Sequence, residues 1–410
     1  MKARVLTIVP ALVGISAPIL LCILVYYLVF APPSLRFFIN RWVSSPAYSP
    51  DAERIAFACH YPTWSQLWED KGRFLLSWGY IDQATEICTA RLDGSQFTRL
   101  LHNSASDDFP AWSPDGQRIA YLSELPYTPG VEWERAIYVV EKDGTRPMKL
   151  SAGFQLQLEK PVWAPSGQEL YFSGEDRLAV AGSGYNLYAV NVEDGELRPL
   201  TSLPGDEVGA QWSPEGSRLA YLWFPRGFRW EMSESAAIRI MDETGRDQVV
   251  VEDFVNIGHL SWSPDGKRLA FWATLPGDCP AGTCAEVCVI DPADTTIECL
   301  TGKYELGRID QIAWSPDGER IAFVAQTGRG AVDAYTGKPD HEVMGPAVFA
   351  IEPASGKLLR VSESGIPYPA NLTWAPDAKS IAFNSGFEGD KSHIWFLEMK
   401  DGRLKRLRVP

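Results

Sequence analysis

Three carboxylates recur in one register of this sequence. Asp108, Glu159 and Asp310 each stand four residues before a tryptophan, at 112, 163 and 314. Carboxylate oxygens gathered from separate segments around a channel mouth can hold a hard cation. Carboxylates entering a strand also cap backbone amides, and because only some segments carry one, capping is the favoured role. Asp206 and Glu207 lie in the corresponding loop before Trp212. A second candidate is the group Trp314, Ser315, Pro316, Asp317 and Gly318, which puts a serine and an aspartate beside a flexible glycine. This group recurs, and its members exchange: the serine is Ala164 or Ala375, the aspartate Ser166 or Glu215, the glycine Ala52 or Ala378. A nucleophile is needed once and does not survive such exchanges, whereas a turn does. The five histidines, His60, His102, His259, His341 and His393, have no metal-ligand spacing. No metal or other cofactor is expected. The G-x-S-x-G motif of α/β hydrolases is absent from the sequence. A catalytic set would have to be built at the channel from Arg226, Arg229, His259 and Asp310.

The elements that position these residues follow from the repeat. Anchors at Tyr48, Trp112, Trp163, Trp212, Trp262, Trp314 and Trp374 are spaced 64, 51, 49, 50, 52 and 60 residues apart. Self-similarity at this period marks a propeller or solenoid. Each copy reads as strand A with the anchor, the S-P-D-G turn, strand B, a loop, strand C, a short turn and strand D. Pro suits position i+1 of a type I turn and Gly the left-handed position that follows. Four antiparallel strands per unit is a propeller blade. The expectation is an all-β, seven-bladed β-propeller of four-stranded antiparallel blades, with six blades as the runner-up. The blades fall near residues 43–103, 107–153, 158–203, 207–253, 257–303, 309–364 and 369–410.

This pattern resembles the TolB-type β-propeller repeat family, whose signature is a W-S-P-D-G turn between the first two strands of a blade. The resemblance spans about nine-tenths of the chain and implies the fold. Seven units rather than TolB's six, with no α/β domain before them, mean that TolB's partners do not carry over. Every blade reads as contiguous in sequence, so ring closure without strand exchange is expected.

In this strand order the B–C and D–A loops share one face, and the B–C loops are long, variable and aromatic. They carry Trp64, Trp68, Trp78 and Tyr80 in the first blade, Tyr127 and Trp133 in the second, and Phe228 and Trp230 in the fourth. Aromatic loops on a rigid scaffold are where binding concentrates, although such rings also pack on one another. The ligand expected is a protein, peptide or glycan. A channel-centred hydrolase or lyase acting on a glycan or peptide is the alternative, and an accessory subunit of a membrane complex a further one.

Net charge is −14, which repels phosphate backbones and argues against nucleic acid as a partner. Residues 5–31 contain no charge and are long enough to span a bilayer. Residues 1–31 are therefore predicted to be an uncleaved N-terminal signal anchor forming one transmembrane helix, followed by a juxtamembrane linker over 32–42. Lys2 and Arg4 favour a cytoplasmic N-terminus with the propeller on the extracytoplasmic side of the plasma membrane. Six cysteines lie beyond the span, an even number that suits an exported domain. Cys288 and Cys299 stand equidistant from the C–D turn of the fifth blade, Cys279 and Cys284 share its B–C loop, and Cys59 and Cys88 flank the long loop of the first blade, so three disulfides, each within one blade, are expected.

Overall fold

The computed structural model describes residues 43–60, 85–103, 105–125, 135–151, 154–156, 159–176, 184–225, 236–254, 256–274, 285–302, 304–306, 308–329, 332–333, 343–362, 369–385 and 392–408. These form seven sheets in which the main strands pair antiparallel in chain order. Blade 1, for example, runs Val43–Tyr48, Arg54–His60, Thr85–Arg91 and Thr98–Arg99, and blade 7 runs Pro369–Trp374, Ser380–Ser385, His393–Glu398 and Leu404–Arg406. Each A strand touches the A strands of its two neighbours, and blade 1 touches blade 7, so the ring closes. Among the described residues no sheet exchanges strands between the termini. Blade 6 adds Glu305–Leu306 and the short parallel strand Val332–Asp333. Among the described residues no helix is long and apolar enough to cross a membrane. The predicted anchor and the linker lie outside the described residues.

The S-P-D-G turn closes as its residue types require. Ser113 Oγ donates to Asp115 Oδ1 at 2.5 Å and accepts from the Arg118 amide at 2.9 Å. The same serine-aspartate bond forms at Ser49, Ser263 and Ser315. It holds Asp51, Asp115 and Asp265 below the usual carboxylate range. The glycine position is left-handed in every copy, including Ala52 at φ 57° and Ala378 at φ 56°. Behind the turn, the aromatic residue of strand B is fully buried in blade after blade, as at Phe57, Tyr121, Phe271, Phe323 and Phe383. Three of these positions stack on the facing residue of strand C: Tyr121 on Tyr138, Phe172 on Tyr188 and Phe323 on Phe349. Each such side chain removed from water contributes about 1.5–3 kcal/mol.

The anchor tryptophans join neighbouring blades. The Nε1 hydrogens of Trp112, Trp163, Trp262 and Trp374 each donate to the carbonyl just before the previous blade's anchor, at 2.9–3.1 Å. An arginine at the start of strand B answers from the previous blade. Arg118, Arg218 and Arg268 lie over the rings of Trp163, Trp262 and Trp314, 5.4, 4.8 and 4.9 Å from the centroids. Arg118 and Arg218 also donate to the turn glycine carbonyls at Gly167 and Gly266. Three seams depart from the tryptophan bond. Between blades 5 and 6 the Trp314 Nε1 hydrogen donates to the Gly318 carbonyl of its own turn at 3.2 Å. Between blades 3 and 4 the arginine position is Glu169, which binds Arg198 instead. Trp212 there packs edge-on to Tyr171 at 5.0 Å, and its Nε1 hydrogen has no partner. At the closing seam the anchor is Tyr48 and the arginine position is Ser380, and their hydroxyls hydrogen-bond at 3.0 Å.

Among the described residues two disulfides are present, Cys59–Cys88 and Cys288–Cys299, with Cα–Cα distances of 5.9 and 4.0 Å. The first closes the base of the long loop of blade 1, and restricting a loop of that length in the unfolded chain contributes about 3–4 kcal/mol. Cys279 and Cys284 lie outside the described residues.

Candidate functional site

The inner surface of the ring is shaped by an irregularity shared by nearly all A strands. In blades 1, 2, 4, 5 and 7 the A–B ladder skips two residues three and two positions before the anchor, and in blade 6 it skips one. Pro46 and Pro110 sit in these bulges, where no ladder donor is required. In blade 3 strand A is broken instead: Phe154–Leu156 and Val162–Trp163 are separate segments. The residues three before the anchor are Ser45, Phe109, Lys160, Gly209, His259, Gln311 and Asn371. Apart from Lys160 all have positive φ, between 45° and 68°. Holding a non-glycine residue there costs roughly 1–3 kcal/mol each, so five blades maintain a strained backbone at one depth. These residues lie at one depth of the A strands, which contact one another around the central channel.

The carboxylates one position earlier reach sideways between blades. Glu159 Oε2 accepts from the Gly209 amide of blade 4 at 3.0 Å. Asp108 accepts from the Phe109 amide at 2.7 Å and from the Ser45 hydroxyl of blade 1. Asp310 pairs with Arg308 at 2.9 Å. The first two turn to opposite neighbours, so these carboxylates share a register without converging on one point. Burial pushes Asp108 and Glu159 up, and their hydrogen bonds oppose that shift. Gln311 and Asn371 hydrogen-bond across the blade 6–7 seam at 3.3 Å, Gln311 also accepts from the Leu372 amide, and Asn371 donates to Asn384.

Two basic side chains remain in the ring. His259 and Lys160 are exposed to solvent, while protein around them removes part of their hydration. This enclosure lowers the His259 imidazole below its usual range, opposed by the charge of Asp310. It also pushes the Lys160 ammonium down to about 8.

A deeper layer was hidden from sequence reasoning. Asp107 and Glu207, each five residues before an anchor, are completely buried within their A strands. Asp107 Oδ2 accepts from Asn103 and Glu207 Oε2 from Thr201, both at 3.0 Å, while the second oxygen of each carboxylate has no partner. Burial drives Asp107 up to about 6 and Glu207 up to about 7.

The aromatic candidates Trp64, Trp68, Trp78, Tyr80, Tyr127, Trp133, Phe228 and Trp230 lie outside the described residues, as do Arg226 and Arg229. Their strand ends are described. Residues 61–84 leave from the His60–Thr85 pair, 125–134 from Glu124–Arg135, and the blade 4 loop from Trp223–Ala237, all at the same face. Among the described residues one group has metal-ligating atoms close together, Glu286 with Cys288 and Cys299. Both sulfurs are committed to a disulfide, so the group offers a single carboxylate.

No family model matches the chain. It is 21% identical over 394 residues to dipeptidyl-peptidase 5 of Porphyromonas gingivalis, covering 92% of this chain and 49% of that protein. It is 25% identical over 217 residues to an uncharacterised peptidase of Bacillus subtilis, covering 53% of this chain and 29% of that one. The chain thus spans half or less of these relatives. A TolB homolog of Chlorobium luteolum is 24% identical over 144 residues, covering 33% of this chain and 28% of that protein. Among solved structures, a puromycin-hydrolysing peptidase of Mycobacterium tuberculosis superposes with a TM-score of 0.62 at 15% identity, covering 90% of this chain and 54% of that one. An oligogalacturonate lyase in complex with manganese gives 0.58 at 15% identity, covering 87% and 89%. At these identities the solved structures establish the fold alone: a β-propeller, shared with a peptidase and a lyase.

Proposed function

We propose that this chain is a membrane-anchored, extracytoplasmic β-propeller that binds a protein, peptide or glycan ligand on the face carrying the B–C and D–A loops. The ring of left-handed residues three positions before six of the seven anchors carries this reading. Backbone strain repeated at one depth in five blades is an investment that turn formation and core packing do not need. It lies in the A strands, which enter the blades from the face where the longest and most aromatic loops leave. The opposite face has short, uniform turns whose polar groups are engaged in closing those turns. The uncharged segment over 5–31 and the paired cysteines favour an anchored, exported propeller.

The test is ligand capture by the full-length protein in detergent. A chain with Trp64, Trp68 and Trp78 changed to alanine is compared with one altered at exposed turn residues Glu53, Gln117 and Lys267. Loss of capture with the first set alone supports the loop face; loss with the second alone refutes it. A channel-centred lyase or hydrolase is the second reading. It is favoured by the fold likeness to the oligogalacturonate lyase, which extends over nearly the whole of both chains. Release of unsaturated or hydrolysed product from a bound glycan or peptide would decide for it.

A further inference from the structure

Charge is distributed unevenly around the rim of the propeller. The outer edge of each blade is made by the C–D turn and strand D. In blades 3, 4 and 5 this stretch covers 192–199, 243–254 and 292–299, with formal charges of −2, −3 and −2. In blades 6, 7, 1 and 2 it covers 353–360, 399–406, 92–99 and 142–149, with formal charges of +2, +3, 0 and +2. Successive A strands touch in chain order, and blade 7 touches blade 1. The cationic arc is therefore centred on the closing seam, and the anionic arc on blade 4, across the ring from it. Blade 7 is the strongest part of the cationic arc. Lys400, Arg403, Lys405 and Arg406 are exposed there, and so is Arg408 beyond them. Asp401 pairs with Arg403 at 3.4 Å, and Arg406 donates to His393 Nε2 at 3.3 Å. Asp93 of blade 1, held low by Ser95, is near enough to Lys405 to feel its charge. Among the described residues Lys400, Lys405 and Arg408 have no ion-pair partner.

A chain of net charge −14 that gathers cations at one pole of its rim has a surface suited to an anionic partner. The place where the chain joins that pole selects the partner. The predicted linker enters blade 1 at Val43, in the closing seam, and the Val43 carbonyl accepts from the Ser392 hydroxyl of blade 7 at 2.8 Å. Residues 32–42 hold Arg36 and Arg41 and no carboxylate. A linker of that length reaches at most about 40 Å when fully extended. Headgroups around a span over 5–31 therefore stay within reach of the cationic arc, at the high effective concentration of a tethered partner. Anionic headgroups attract clustered Lys and Arg side chains that come within about a Debye length of the surface, and they repel the arc of blades 3, 4 and 5.

We infer that the rim of blades 6, 7, 1 and 2 docks on an anionic phospholipid surface, with blade 4 directed away from it. This rests on the membrane anchoring in the reading proposed above. The propeller then stands on edge, and the face of the B–C and D–A loops opens along the membrane. Full-length protein is inserted into nanodiscs of phosphatidylcholine alone, or of phosphatidylcholine and phosphatidylglycerol in equal parts, and followed by hydrogen–deuterium exchange. At about 50 mM salt, amides over 399–408 should exchange at least about threefold more slowly on the anionic discs, and the difference should vanish at about 500 mM, where screening removes the attraction. Residues 192–199 and 243–254 should exchange alike on both discs. Lys400→Glu, Lys405→Glu and Arg408→Glu together should abolish the difference. Glu196→Gln with Glu298→Gln, on the opposite arc, should leave it in place. Equal exchange on the two discs, a difference that survives high salt or the triple reversal, or slowing over 243–254 overturns the inference and leaves the loop-face reading standing. Equal exchange together with loss of ligand capture in the triple variant overturns both, and assigns the arc to an acidic protein. A parent chain that does not insert into the discs refutes the anchoring on which the inference rests.

Discussion

Replacing Glu207 with glutamine should make the propeller less sensitive to pH. Glu207 is completely buried, one of its oxygens has no partner, and its folded-state pKa is about 7 against an ordinary 4.5. The folded state therefore binds this proton more tightly than the unfolded state does. The penalty is absent below about pH 4.5 and complete above about pH 7, so stability falls as pH rises through that window. A shift of this size corresponds to about 3 kcal/mol at pH 8. Roughly 2 kcal/mol of it is relieved by pH 5.5, which stays above the isoelectric point near 4.9. Glutamine keeps the acceptor for Thr201 and has no charge to desolvate. Its own unpaired amide adds a cost of about 1–3 kcal/mol that does not vary with pH. The assay is urea unfolding of parent and Glu207→Gln at pH 5.5 and pH 8. The stability of the variant relative to the parent should rise by about 2 kcal/mol from the lower pH to the higher. Acidification also relieves the general repulsion among negative charges, but it does so in both proteins and cancels in the difference. A difference that is constant with pH, or that moves in the variant's disfavour as pH rises, refutes the burial argument.

Other outcomes follow from the seams and turns. Arg218→Ala removes a guanidinium 4.8 Å from the Trp262 ring centroid and its bond to the Gly266 carbonyl; it should cost about 2 kcal/mol in urea unfolding. Glu169→Ala, at the same register of the blade 3–4 seam, loses only its partly exposed pair with Arg198 and should cost under about 1 kcal/mol. Equal costs would remove the arginine–tryptophan contact from the account of blade cohesion. Ala378→Gly should stabilise by about 0.5–1 kcal/mol, because relief of the left-handed Cβ clash outweighs the added freedom of the unfolded chain; a fall in melting temperature would contradict this.

Much of the scaffold was legible because it is written seven times. The S-P-D-G group, its anchor and the aromatic of strand B each have a local cause, turn geometry in one case and strand periodicity in the other, and repetition fixed the blade count. The pair Cys288–Cys299 followed from strand register for the same reason, and Cys59–Cys88 from the position of both at the base of the blade 1 loop. The channel ring was harder to see. A bulge adds residues to one strand only, which breaks the two-residue alternation on which strand faces are read. Of the ring residues only Gly209 and, more weakly, Asn371 and His259 have types that favour a left-handed backbone. The signal available was that five of the seven aligned positions are polar, Ser45, Lys160, His259, Gln311 and Asn371, where an inner strand would otherwise alternate. Glu207 read as a loop residue because a carboxylate is seldom buried with an oxygen unpartnered, and nothing in the sequence marks the neighbours that enclose it. The Tyr48–Ser380 bond depends on two departures from the repeat 332 residues apart, each unremarkable until the ring closes.

The central claim is that ligand enters from the face of the B–C and D–A loops and reaches the channel ring. Hydrogen–deuterium exchange of the full-length protein, with and without its captured ligand, tests this directly. The account expects added protection within 61–84 and 126–134 and around residues 108–110, 159–161 and 258–260, with none at the S-P-D-G turns. Protection confined to the turns around residues 49–53, 113–117 and 263–267 would contradict it.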